Sequence, residues 1–192
     1  MLNRREFVAS AAAAALSPLL GGVANARTVI RASANLDPWL EIDSAALAHN
    51  VRATSALAGG KPIIAVAKNN AYGLGLATAG PLFDRLPEVQ LLAVVRPDEA
   101  FALRHAGVRK PLLLMGPATE DELLELVPLD VIQSPYRAAA PTILGRVSGR
   151  LKRPVRVHLY VDTGMHRMGM PVAEARVWLA CREICRRLIC QH

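Results

Sequence analysis

Lys68 is the first residue whose position suggests chemistry. It ends the apolar run Pro62-Ile-Ile-Ala-Val-Ala67 and is followed by Asn69, Asn70, Ala71, Tyr72 and the turn Gly73-Leu74-Gly75. A short run with Ile and Val at its centre predicts a fully buried parallel strand. The C-terminal end of such a strand is where α/β folds place their ligands. An amine held there loses part of its hydration, which lowers its pKa from about 10.4 and frees it as nucleophile or base. The two glycines must turn the chain into the next element. Taken alone, a lysine that follows a strand is usually a solvated loop residue.

A second group of the same kind lies at Val161-Asp162-Thr163-Gly164-Met165-His166-Arg167-Met168-Gly169, after another apolar stretch. A glycine turn past a strand end can direct a guanidinium across the mouth of a barrel. Arginine suits that task because its planar fork binds a carboxylate or phenolate oxygen and keeps its charge. On its own Arg167 would be read as a surface salt-bridge former. His166, in the same loop, is given no role, and His49, beside Asn50 on a helix, is assigned to the surface or a cap. Cys181, Cys185 and Cys190 crowd the end of the chain with His192. They could be sketched as a zinc site, but the spacing matches no common finger, so no metal is expected. An odd cysteine count in an oxidising compartment points instead to free thiols or intermolecular disulfides.

The elements that must hold these residues follow from pattern. Trp39–Asp43 reads as a brief strand, and Ser44 as the N-cap of a helix whose inner face is Leu47, Val51, Thr54 and Ala58. Gly59-Gly60 closes that helix. After the lysine strand comes a helix over 76–86 with Leu76, Ala79, Phe83 and Leu86 facing inward. Gln90–Val95 is the third strand, and Pro97-Asp98-Glu99 opens a helix with proline at its first position and acids in its first turn. Pro111–Met115 is the fourth strand, and Thr119 with Glu122 makes a capping box for a helix reaching Val127. Asp130–Gln133 is the fifth strand, Ser134-Pro135 starts a helix, and Pro154–Val161 is a longer, alternating sixth strand. From Pro171 the residues are helix formers. Six strands alternating with helices predict a parallel α/β sheet with right-handed connections. An open doubly wound sheet and a (β/α)8 barrel both remain, although no G-x-G-x-x-G follows the first strand.

Composition narrows the partners. The 192 residues are 52% hydrophobic and 20% charged, an ordinary globular balance for one domain. The formal charge of +7 is spread along the chain with few aromatics and no basic stripe, so nucleic acid is not an expected partner. Residues 1–26 read as a targeting segment. Arg4-Arg5 precedes Glu6-Phe7, the alanine-rich run from Ala9 to Val23 follows, and Ala24-Asn25-Ala26 is an A-x-A cleavage site. The arginine pair resembles a twin-arginine export signal, which places residues 27–192 in a periplasmic space. A stable membrane span is not expected, because the run is short and interrupted by Ser17-Pro18 and Gly21-Gly22.

Two stretches carry a resemblance. Ala65-Val-x-Lys68-x-Asn-Ala-Tyr72-Gly-x-Gly75 looks like the pyridoxal-phosphate (PLP) lysine motif of the alanine racemase family, and Asp162-Thr-Gly-Met-x-Arg167 resembles a second motif of it. The opening Trp39-x-Glu-Ile-Asp43 is similar to the start of those proteins, and the likeness covers about residues 37–170. It implies an N-terminal PLP-binding barrel, an incomplete (β/α)8 of TIM type with about six β/α units, the lysine on the second strand. It further implies a PLP-dependent amino-acid racemase in which Lys68 forms the internal aldimine, gives way to the substrate amine and then moves the α-proton. Tyr72 would bind the phosphate, helped by backbone N–H groups of the Gly73–Gly75 turn. Arg167 would hold the cofactor's phenolic oxygen and the substrate carboxylate. Where many members carry a carbamylated lysine seven residues before that arginine, this chain has Tyr160; Leu74 and Asn69 also depart from the common His and Ala. The family implies a homodimer whose second base is a tyrosine from a C-terminal β-domain of the partner, and that domain is expected to be missing from 27–192. A PLP-binding barrel without turnover and an inactive remnant stay open as alternatives.

Export is testable at once. Replacing Arg4 and Arg5 by lysine should hold the precursor in the cytoplasm, whereas the parent is exported and cleaved after Ala26. Continued processing of the doubly substituted chain, followed by cell fractionation and N-terminal sequencing, would refute the twin-arginine reading.

Overall fold

Helix α1 (Ser44–Leu57) begins at Asp43, whose carboxylate accepts hydrogen bonds from the N–H groups of Ala45 and Ala46 at 2.8 and 3.0 Å. The cap is therefore Asp43 and not Ser44. The carboxylate satisfies two orphan donors and complements the positive end of the helix. The computed structural model describes residues 40–135, 140–180 and 188–190, the last three as backbone alone. The leader, Trp39, Cys181, Cys185 and His192 lie outside the described residues. Leu40–Asp43 form no strand, so the expected first strand is not found in its described part. Of the expected inner face of α1, Val51 is buried and Leu47 half-buried, while Thr54 and Ala58 are exposed and Ser55 is buried instead, its hydroxyl donating to the Lys61 carbonyl at 3.0 Å.

The remaining elements alternate as the pattern requires. They are β1 (Ile63–Val66), α2 (Leu76–Asp84), β2 (Val89–Val94), α3 (Pro97–His105), β3 (Leu112–Leu114), α4 (Glu120–Leu126) and β4 (Val131–Gln133). Then follow α5 (Ala140–Leu151), β5 (Val155–Val157), β6 (Val161–Asp162), β7 (Met170–Pro171), α6 (Val172–Ala180) and β8 (Leu188–Cys190). The capping box forms as read: Glu122 N–H donates to the Thr119 hydroxyl, and Thr119 N–H donates to the Glu122 carboxylate at 2.7 Å.

Six strands make one parallel sheet in the order β1-β2-β3-β4-β5-β8. The order never reverses. A doubly wound sheet must reverse at a switch point, so the doubly wound alternative falls and the sheet is an arc of a barrel.

Two expected elements differ. The long sixth strand stops at Val157, and β6 leaves the main sheet to pair with β7. Between them His158 N–H reaches the Gln133 carbonyl at 2.8 Å and Tyr160 N–H the Pro135 carbonyl at 3.2 Å. Pro135 has no N–H to return, so the regular ladder cannot continue. The tail expected as helix contains a strand, β8, which takes the sixth place beside β5.

The sheet separates two apolar layers. Leu92, Val94, Leu112, Leu114 and Val131 pack outward against Ala79, Ala100, Leu103 and Leu126 of the helices. Leu91, Ala93, Leu113 and Ile132 form the opposite, inner row. Burying such side chains contributes about 1.5–3 kcal/mol each. Strand β1 departs from the expected full burial. Ile64 and Val66 are in register with the inner row but are 38% and 39% exposed, because β1 has a strand on one side only. Among the described residues no helix is long and apolar enough to cross a membrane.

Candidate functional site

The site begins where β1 stops. Ala67 N–H donates to the Ala93 carbonyl at 2.8 Å, the last rung of the β1–β2 ladder, and the next residue is the half-buried Lys68. Its ammonium has no ion-pair or hydrogen-bond partner among the described residues. Asn69, Asn70 and Ala71 then adopt φ of 53°, 55° and 54° with ψ near 50°, and Tyr72 follows at φ 55°. This is one turn of left-handed helix built from L-residues, a conformation that costs roughly 1–2 kcal/mol per residue. Asparagine tolerates it best because its short side chain bonds locally. Here the Asn70 amide oxygen accepts from Leu76 N–H at 2.9 Å and so starts α2. Gly73 and Gly75, at φ 93° and 87°, let the chain leave the turn.

Glu99 holds the turn from outside. Its side chain is 5% exposed and reaches from the first turn of α3. One carboxylate oxygen accepts from Asn69 N–H at 2.5 Å and Asn70 N–H at 3.4 Å. The other accepts from Val95 and Arg96 N–H, both at 3.1 Å. Sequence reading took Glu99 only as an acid in a first helical turn. Its place at the third helical position signals a cap, but the bonds to residues 30 positions earlier leave no local trace.

The same geometry corrects one expectation. The N–H groups of Gly73, Leu74 and Gly75 all donate within the turn, to the carbonyls of Asn69 and Asn70, of Ala71, and of Asn70. They are spent, so they cannot help to bind a phosphate. Tyr72 is 65% exposed and stands in the same turn as Lys68.

Arg167 lies in the loop between β6 and β7, exposed and without an ion-pair or hydrogen-bond partner among the described residues. The sheet places this loop at the C-terminal end of the strands, the end that also bears Lys68, but beyond β5, four strands from β1. Lys68 and Tyr72 are brought together by one turn; Arg167 is not brought into contact with either. Tyr160 is half-buried, and its carbonyl accepts from Met170 N–H at 2.9 Å, which joins the two ends of the arginine loop.

Asp162 organises that loop. Its carboxylate accepts from Gly164 N–H at 2.9 Å and His166 N–H at 3.1 Å, and meets His166 Nδ1 at 3.0 Å. Those two backbone bonds, first Gly164 and then His166, hold its pKa below the ordinary aspartate value. Gly169 closes the loop where a Cβ would stand 2.7 Å from the Asp162 nitrogen, so no larger residue fits without a shift. His49 is exposed on α1. A cavity of about 340 Å³ opens at the ends of β3 and β4 between Gly116, Leu123, Gln133, Ser134 and Ile143. None of its lining residues carries an ionisable side chain.

Sequential parallel strands that carry a lysine turn and an arginine loop past their C-terminal ends define a barrel domain of the ligand-binding kind. Residues 42–191 match the family model "Alanine racemase, N-terminal domain". The chain belongs to the alanine racemase family, whose members depend on pyridoxal phosphate. It is 39% identical over 146 residues to the alanine racemase of Xanthomonas campestris pv. campestris, covering 73% of this chain and 38% of that one. Among solved structures, it matches alanine racemase from the D-cycloserine producer Streptomyces lavendulae with a TM-score of 0.69 at 27% identity, over 77% of this chain and 39% of that one. The Bacillus anthracis alanine racemase solved with bound L-Ala-P matches with a TM-score of 0.67 at 25% identity, over 80% and 41%. The chain thus spans about two fifths of the length of these relatives.

The Asp162 loop carries a pH prediction. A carboxylate with a lowered native pKa adds stability that is present above its unfolded value, about 3.9, and is lost as pH falls through the native value. Hydrogen-exchange protection of the Gly164 and His166 amides should therefore hold from pH 7 to 5 and fade below about pH 4. Asp162→Ala should abolish it at every pH; unchanged protection in that variant would mean the loop is held by other contacts.

Proposed function

We propose that this chain carries the cofactor-binding part of a PLP-dependent amino-acid racemase, with Lys68 as the covalent anchor. The observation that carries this is the lysine itself: it ends a barrel strand, free of any carboxylate partner among the described residues, inside the family's motif. The residues present suit the cofactor's aldehyde end, since an unpaired amine held half-buried at a strand end is the nucleophile an aldehyde requires. For the phosphate the turn offers the Tyr72 hydroxyl, its glycine amides being already engaged.

Bound PLP supplies an electron sink that acidifies the Cα–H of an amino acid. Lys68 would hold the cofactor and would take or return the α-proton on one face. Tyr72 would hold the phosphate by its hydroxyl. Arg167 would bind the cofactor's phenolic oxygen and the substrate carboxylate and so orient the substrate toward Lys68. Tyr160 stands where many members of the family carry a carbamylated lysine, and brings a hydrogen-bonding phenol there instead. The same reading gives a homodimer and an amino acid, alanine among them, as substrate, and the leader at 1–26 sends the chain to the periplasm. A PLP-binding barrel without turnover is the second reading, favoured by the uncovered Ile64 and Val66 on the inner face of β1.

Two experiments test this. Purified protein given PLP should show visible absorption, and borohydride should fix one cofactor on the tryptic peptide holding Lys68. Lys68→Ala should lose the label, and labels scattered over Lys61, Lys110 and Lys152 would refute an organised site. In the second, residues 27–192 with PLP are incubated with L-alanine, L-serine or L-lysine, and the D-isomer is followed by chiral chromatography. Little turnover is expected from this span, because racemisation needs a base on each face and Lys68 serves one. Loss of the second base would cost about 10²–10⁴-fold. Full racemase rates that vanish in Lys68→Ala would show that this span suffices.

A further inference from the structure

Glu99 is buried and bears a charge, yet forms no ion pair among the described residues. Such a group persists only where dipoles replace its water. Four backbone N–H groups do so, two on each oxygen. An ionised carboxylate offers about four acceptor positions and no donor. All four are filled, and no other side chain of that reach could fill them. Glutamine would offer one accepting oxygen and would turn its NH₂ toward two N–H donors. Aspartate is one methylene too short to span both loops.

The two sets of donors have different meanings. Val95 and Arg96 precede α3, and bonding them is ordinary helix capping. Asn69 and Asn70 belong to the strained turn that directly follows Lys68. The Asn69 N–H lies in the peptide plane that joins Lys68 to Asn69. Holding that N–H fixes the plane and so fixes the backbone torsion of Lys68 itself. A left-handed turn of L-residues persists only where its surroundings over-determine it. Here the clamp to a charged acceptor does so.

Resting on the reading of Lys68 as the cofactor lysine, we propose that Glu99 is its positioning residue: the buried carboxylate clamps the amides of Asn69 and Asn70 and thereby aims Lys68. It touches neither cofactor nor substrate.

The test compares the full chain with Glu99→Gln and Glu99→Asp. Thermal unfolding establishes that each is folded, amide exchange is read by NMR, and lysine reactivity toward acetic anhydride is measured at one pH by mass spectrometry. In Glu99→Gln the amides of Asn69 and Asn70 should exchange at least tenfold faster. Lys68 labelling should change at least severalfold while that of Lys61 and Lys110 stays fixed. Glu99→Asp keeps the charge and the cap, so Val95 and Arg96 should stay protected while Asn69 and Asn70 exchange at least tenfold faster. If Glu99→Gln does not fold, Glu99→Asp carries the test alone. Borohydride trapping of PLP on Lys68 should slow at least severalfold in each folded variant. Unchanged exchange at Asn69 and Asn70, or unchanged trapping at Lys68, overturns the assignment. If the parent chain traps no PLP at Lys68, the cofactor reading falls, and the exchange and labelling data still decide the part of Glu99.

Discussion

The parallel register of β1 on β2 is the constraint on which the site depends. Ile64 pairs with Leu91, Ala65 with Leu92 and Val66 with Ala93, and Ala67 adds a last rung to Ala93. Side chains alternate along a strand, so a slip of one residue would exchange the inner and outer rows. Both rows are buried through β2, β3 and β4, but their partners differ: the outer row packs on the helices, the inner row on its own neighbours. The register therefore sets where β1 must end, and Lys68 begins there. It also brings the loop after β2 alongside, with α3 and Glu99 in reach of Asn69.

Strain and its compensation sit together at this point. Asn69 to Tyr72 occupy a backbone region that L-residues avoid, and the cost is offset by contacts from three directions. Glu99 holds the first two amides, the Asn70 side chain caps α2, and the amides from Gly73 to Gly75 fold back on the turn. A turn with this many internal bonds leaves few donors for a ligand. Charged recognition must then come from side chains, which is why Tyr72 and Arg167 carry so much of the proposed function. The arginine loop is built by the same means on a smaller scale, with Asp162 collecting the amides of Gly164 and His166.

The sheet itself explains the exposure of β1. Parallel sheets are stable when both faces are covered. Helices cover the outer face, whereas the inner row narrows to Leu91, Ala93, Leu113, Ile132 and the adjoining Met115. Ile64 and Val66 extend that row past the last strand that can shield them. An apolar row that ends at an uncovered strand is the expected state of a barrel arc in which β1 has a neighbour on one side alone.

The sequence by itself determined what local rules govern. The apolar run to Ala67 made a strand, Gly73 and Gly75 made a turn with positive φ, Pro97 opened a helix and Thr119 with Glu122 closed a capping box. Repeated strand–helix spacing carried the parallel sheet, and two motifs carried the family. Each of these depends on residues a few positions apart, so each is legible in order along the chain. Tertiary structure decided the rest because the partners are distant. Pro135 lies far from β5 in sequence, yet its missing N–H ends the ladder there; β8 finds its place only beside β5. The turn after Lys68 is held in part by a carboxylate 30 residues away, and no local propensity encodes a donor that must wait for its acceptor to arrive.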